Sequence, residues 1–99
     1  MKQLNLSEFE ELCNANEFSF FIVHADDSSS FDFTKSFREI RFCSGTVILS
    51  DKDNYFRIKC VKSISVDISN SVNTIEFFIE CDDLSCIDGK RKFTIIAQY

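Results

Sequence analysis

Residues 55–68 read Tyr-Phe-Arg-Ile-Lys-Cys-Val-Lys-Ser-Ile-Ser-Val-Asp-Ile. Phe56, Ile58, Cys60, Ile64, Val66 and Ile68 share one parity, and Arg57, Lys59, Ser63, Ser65 and Asp67 share the other. A period of two belongs to a β-strand with one face on a core and one in water. The run is longer than an ordinary strand, and its alternation fails at Val61-Lys62. A bend or bulge at that point is therefore expected to divide it into two strands.

The same period continues on both sides. Downstream, Asn70 to Asn73 reads as a turn. Ile75, Phe77, Ile79 and Cys81 then alternate with Glu76, Phe78 and Glu80. Asp88-Gly89 is a type I′ turn candidate, and Phe93, Ile95 and Ala97 form a last strand. Upstream, Asp51-Lys52-Asp53-Asn54 reads as a hairpin loop, preceded by Val47 and Leu49 alternating with Thr46 and Ile48. Gly45 marks a bend or bulge after Ile40-Arg41-Phe42. In the run Phe18 to Val23, Phe18, Phe20 and Ile22 share one face and Phe21 and Val23 the other, so this strand is expected to be covered on both sides. Asp26 to Ser30 reads as a polar loop that Phe31 and Phe33 dock back onto the protein.

Only the N-terminal stretch has helical spacing. Ser7-Glu8-Phe9-Glu10 matches a capping box, in which the Ser7 hydroxyl accepts from the Glu10 amide while the Glu10 carboxylate reaches back. Glu8, Glu10 and Glu11 then fall in the first turn, where the helix dipole favours negative charge. Phe9, Leu12 and Cys13 give a narrow apolar stripe, and Asn14 to Asn16 end the helix. The fold class is thus α+β and mostly β, with a short helix followed by a curled antiparallel sheet of six to seven strands. Hairpins at this spacing resemble the SH3-like or Sm-like small barrels. A sheet bent around the helix is the alternative.

With 99 residues there is room for one core, so residues 1–99 are read as a single domain. The 44% hydrophobic content is that of a globular chain, and the 12 Phe, two Tyr and no Trp suit a thin sheet core. No apolar leader or membrane span is visible. The five cysteines are odd in number and scattered, and three fall where a strand wants a small apolar residue. Buried thiols in a reducing, cytoplasmic compartment are the expectation.

The formal net charge of −5 is arranged in blocks. Residues 3–34 hold seven acids and no Lys or Arg, and residues 63–89 hold six acids and no base. Between them lie Lys35, Arg38, Arg41, Lys52, Arg57, Lys59 and Lys62 against Glu39, Asp51 and Asp53, and Lys90-Arg91-Lys92 follows. Such blocks either pair across strands or leave one acidic and one basic face.

No residue set points to catalysis, a cofactor or a metal. Cys81 and Cys86 lack the tight Cys-x-x-Cys spacing of a zinc knuckle. The Asp51–Asn54 tetrad opens like a calcium loop but has Phe56 and Lys62 where that loop needs Gly and Glu. His24 beside Asp26 and Asp27 is the minimum for base chemistry, yet no nucleophile elbow or phosphate loop accompanies it. Arg38, Arg41, Arg57, Lys59, Lys62 and Lys90 to Lys92, with Tyr55 and Phe78 as stacking surfaces, offer a phosphate-binding strip. The sequence pI near 4.7 argues against nucleic acid as the partner, because only a sharply segregated basic face would overcome long-range repulsion.

Phe78 is out of phase with its strand and sits between Glu76 and Glu80, and Ile48 and Ile96 are similarly out of phase. Either the helix covers this second face, which is the expectation, or these residues form an apolar patch with an acidic rim. By elimination the chain reads as a non-catalytic protein-interaction module. In size and charge it resembles the small acidic inhibitors carried by phages and mobile elements, including those directed at CRISPR nucleases. That resemblance implies a basic nucleic-acid-processing enzyme as partner. The candidate contacts are Asp26, Asp27, Asp32, Glu76, Phe78, Glu80, Asp82 and Asp83. A nucleic-acid-binding barrel and a structural homo-oligomeric subunit are the competing classes.

Overall fold

The computed structural model describes residues 2–26, 32–52, 54–59, 61–67, 73–82 and 90–99. In chain order the elements are β1 (Lys2–Leu4), α1 (Leu6–Ala15), β2 (Phe20–Asp26), β3 (Asp32–Phe37), β4 (Glu39–Cys43), β5 (Thr46–Ser50), β6 (Tyr55–Ile58), β7 (Val61–Asp67), β8 (Thr74–Asp82) and β9 (Lys90–Gln98). All strand pairs are antiparallel, and they form two sheets rather than one closed barrel. The larger sheet runs β1-β7-β8-β9-β2-β3 and ends in open edges at β1 and β3. The smaller is the meander β4-β5-β6.

The run at 55–68 is divided as its pattern requires, and the division separates the two sheets. β6 belongs to the small sheet and β7 to the large one. Val61 pairs with Cys81 and Ser63 with Glu80, which leaves Lys62 as the extra residue of a bulge. The bulge changes the parity of the inward positions, so that Val61 packs on the core together with Ile64 and Val66.

Inward positions of both sheets meet in one buried cluster. Phe21, Val23, Phe37, Phe77, Ile79, Phe93 and Ile95 come from the large sheet, and Val47, Leu49 and Ile58 from the small one. Phe56 of β6 stacks on Phe37 at 6.4 Å and meets Phe93 edge-on at 5.4 Å, which holds the sheets face to face. Helix α1 fills the space beside them. Its Phe9, 0% exposed, lies 4.5 Å from Phe77 of the large sheet and 5.1 Å from Phe42 of the small one.

Several sequence expectations are corrected. The helix starts two residues earlier than expected. Asn5, not Ser7, is the N-cap: its Oδ1 accepts from the Glu8 amide at 2.8 Å, and the Glu8 carboxylate accepts from the Asn5 amide at 3.0 Å. The reason is β1, whose pairing with β7 ends at Leu4 and leaves Asn5 to open the helix. Glu8 is therefore in the first turn, while Glu10 and Glu11 are in the second. Gly45 is the second residue of a two-residue hairpin turn, since Cys43 pairs with Thr46 and both Ser44 (φ 49°) and Gly45 (φ 79°) are left-handed. These are the dihedrals of a type I′ turn. Ser44 sits there against the usual preference for Gly or Asn, so Ser44→Gly is expected to raise thermal stability, as chemical or thermal unfolding would show. Strand β2 is buried on one face only, through Phe21, Val23 and Ala25, while Phe20 and Ile22 remain half-buried on the other. β1 and β3 bring the described strands to nine. The turns expected at 70–73 and 88–89 lie largely or wholly outside the described residues, as do residues 27–31 of the polar loop.

Cys13 and Cys81 are buried and Cys43 is exposed, while Cys60 and Cys86 are outside the described residues. Burial pushes the Cys13 thiol up to about 12 from 9.0. The unfolded chain loses this proton near the ordinary value, whereas the folded chain keeps it. The stability that burial of the neutral thiol provides is therefore intact below pH about 9 and is lost as pH climbs toward about 12. Alkylation of the native protein near pH about 8 is expected to modify Cys43 and spare Cys13 until denaturant is added. Peptide mapping that finds Cys13 modified in the native protein would contradict this placement.

Candidate functional site

Helix α1 and the small sheet both lie on the inner face of the large sheet, so the side chains of opposite parity on β2, β8 and β9 face outward. The register joins four apolar ones into a stripe. Ile96 of β9 is the direct partner of Ile22 of β2, and Phe20 lies two residues along the same strand. Phe78 of β8 pairs with Thr94, which places it diagonal to Ile96. All four are half-buried, and none is among the side chains that pack against the core. The expectation that the helix covers Phe78 is thus overturned, because α1 packs through Phe9 on Phe77, the neighbour that points inward.

Carboxylates border the stripe. Glu76 and Glu80 flank Phe78 at two-residue spacing on β8, and Asp67 of β7 is the direct partner of Glu76. Glu80 has Ser63 on one side and Lys92 on the other. Asp82 is the Cα partner of Lys90, and its carboxylate lies 3.5 Å from the Lys62 ammonium on the bulge. Asp26 and Asp32 are Cα partners at the last pair of the β2–β3 ladder, one residue beyond Ala25–Phe93. Glu80 likewise lies one residue beyond Ile79–Phe93. The backbone positions of Asp26, Asp32, Glu80 and Asp82 therefore share one end of the large sheet. Asp27 and Asp83 are outside the described residues.

The structure brings Glu76, Phe78 and Glu80 together as the sequence indicated, and adds Phe20 and Ile22. Those two were legible only as apolar residues on a strand that is apolar on both faces. His24 is exposed, and its Nδ1 lies 2.7 Å from the Thr34 hydroxyl across the β2–β3 ladder.

Lys92 stays beside Glu80 on the large sheet, but four other basic residues gather around the small one. Arg41 of β4, Ile48 of β5 and Arg57 of β6 form one row across the outward face of the small sheet. Tyr55, 65% exposed, stands beside them with the Arg57 guanidinium 5.0 Å from its ring centroid. Arg38 and Lys52 complete an open groove of about 1510 Å³. Glu39 and Asp51 also line it, so the four basic and two acidic residues give a local net charge of +2. Tyr55 and Phe78, once paired as stacking surfaces, belong to different sheets. Lys62 of the expected strip is drawn to Asp82 instead. Among the described residues no three His, Cys, Asp or Glu side chains converge as metal ligands, and no helix is long and apolar enough to cross a membrane.

No known protein family, curated protein or solved structure matches this chain.

Proposed function

We propose that the chain is a non-catalytic protein-binding module that docks its partner on the outward face of the six-stranded sheet. The observation that carries this reading is the stripe Phe20, Ile22, Ile96 and Phe78, left without the helix over it and bordered by Asp67, Glu76 and Glu80. Aromatic and aliphatic anchors inside a polar rim are the usual source of affinity at protein interfaces. The acids provide steering toward a basic surface, which raises the rate of encounter more than the final affinity. The backbone positions of Asp26, Asp32 and Asp82, at one end of the same sheet, extend the acidic border. The Lys62–Asp82 pair is solvent-exposed and worth about 0–1 kcal/mol, so exchange for a partner's cation costs little.

The concrete form of this proposal is a small acidic inhibitor of a nucleic-acid-processing enzyme, acting in the cytoplasm, of the kind phages and mobile elements direct at CRISPR nucleases. Such an inhibitor presents carboxylates where the enzyme expects phosphates.

The test is capture by the tagged protein from its native lysate at low salt, followed by a rising salt gradient with and without nuclease. The expected partner is a protein that elutes with salt and survives nuclease treatment. Glu76→Lys should weaken its retention while leaving the protein folded, because the residue lies on the outward face of β8. Retention indifferent to both salt and Glu76→Lys would end the steering account.

A further inference from the structure

We propose that the outward groove of the small sheet, on β4, β5 and β6, binds single-stranded nucleic acid. The chain as a whole is acidic, at −5, but four of its cations, Arg38, Arg41, Lys52 and Arg57, gather around this one groove. Arg41 and Arg57 of the basic block fall on β4 and β6 of the meander, whereas Lys35 and Lys62 of the same block fall on β3 and β7 of the large sheet. The groove therefore keeps a local excess of cations, with the face rich in carboxylates on the other sheet.

Two features select the ligand class. First, three of its four cations are arginines, and Arg41 and Arg57 sit on the two outer strands with Ile48 between them. Guanidinium groups contact phosphate oxygens through two parallel hydrogen bonds, which an ammonium cannot do. Second, Tyr55 is 65% exposed, and its ring already has one cationic neighbour in Arg57. An exposed ring beside paired arginines stacks an unpaired base while the flanking phosphates meet the guanidinium groups. A duplex hides its base faces and could use only the charges. An acidic protein segment, or the carboxylate-rich face of a second copy, would use the arginines and leave the ring idle.

This site is separate from the protein-binding face, so either can fail alone. The experiment is fluorescence anisotropy of a labelled oligothymidylate, of about ten nucleotides, from about 50 to 200 mM salt, with a duplex of equal length as comparison. Binding is expected for the single strand, with log affinity falling against log salt at a slope of about −2 to −3 for three or four phosphates contacted. Tyr55→Ala should weaken it at least about fivefold, the loss of one base stack. Arg57→Ala should weaken it and reduce the slope by about 0.7. Both residues are exposed, and unchanged circular dichroism would show the fold intact. No binding at about 50 mM salt would overturn the proposal. So would a duplex bound as tightly as the single strand, or binding that survives Tyr55→Ala and Arg57→Ala. Chain oligomers that Arg41→Glu disperses, together with absent oligonucleotide binding, would assign the groove to a second copy instead.

Discussion

Phe9→Ala is expected to lower stability by about 3–5 kcal/mol, as for other fully buried aromatic residues. Its ring is 0% exposed and touches both sheets, Phe77 at 4.5 Å and Phe42 at 5.1 Å. Removal opens a cavity at the junction where the helix meets both layers, and the adjoining rings belong to strands that cannot close in without disturbing their ladders. A ten-residue helix has little stability of its own, so α1 depends on this contact to persist. Small domains are stable by about 5–15 kcal/mol, and the variant would lose much of that. Chemical denaturation followed by circular dichroism would measure it. A loss below about 1 kcal/mol would mean that the helix is not seated between the sheets.

The second large effect separates two adjacent residues. Phe77→Ser should unfold most of the protein, because it removes a ring that is 0% exposed and buries a hydroxyl. The first costs about 3–5 kcal/mol and the second about 1–3 kcal/mol. Phe78→Ser should cost less, about 1–2.5 kcal/mol, because its ring keeps some exposure on the outward face. Its cross-strand neighbours Ser65 and Thr94 are already polar and short. Thermal melts of the two variants should therefore differ widely, although the residues are chain neighbours. Equal destabilisation would place Phe78 in the core and remove the proposed binding face.

Much of this architecture is written in local pattern. Ile75, Phe77, Ile79 and Cys81 alternate without interruption and all four are buried, and the irregularity at Val61-Lys62 marks the bulge where it occurs. What local pattern does not carry is pairing at a distance. Whether the chain bends within one sheet or crosses to another after β6 depends on whether β7 pairs with β6 or with β1 at the other end of the sequence, so a closed barrel and two open sheets look alike in sequence. β1 has three residues, too few for a period to register, and β3 carries Thr34, Lys35 and Ser36 because it is a sheet edge. The capping box expected at Ser7-x-x-Glu10 forms at Asn5-x-x-Glu8 instead, because the pairing of β1 with β7 ends at Leu4.

The candidate surfaces divide in the same way. Phe78 stood out because it broke the alternation of its own strand. Ile22 and Phe20 joined it only through the β2–β9 register, in which Ile22 lies opposite Ile96. The charge blocks are plain in the sequence, but that Arg41 and Arg57 lie on one sheet and Asp67, Glu76 and Glu80 on the other follows from the crossing between β6 and β7. Until that crossing is known, Tyr55 and Phe78 look like members of one strip.

The most direct test of the proposed protein-binding face is parallel capture from one lysate with the unaltered protein, Phe78→Ser and Arg57→Ala, each first shown to be folded by its thermal melt. The expected result is a nuclease-resistant protein partner retained by the unaltered chain and by Arg57→Ala but lost with Phe78→Ser. Retention of the same partner by folded Phe78→Ser would contradict the assignment of that face.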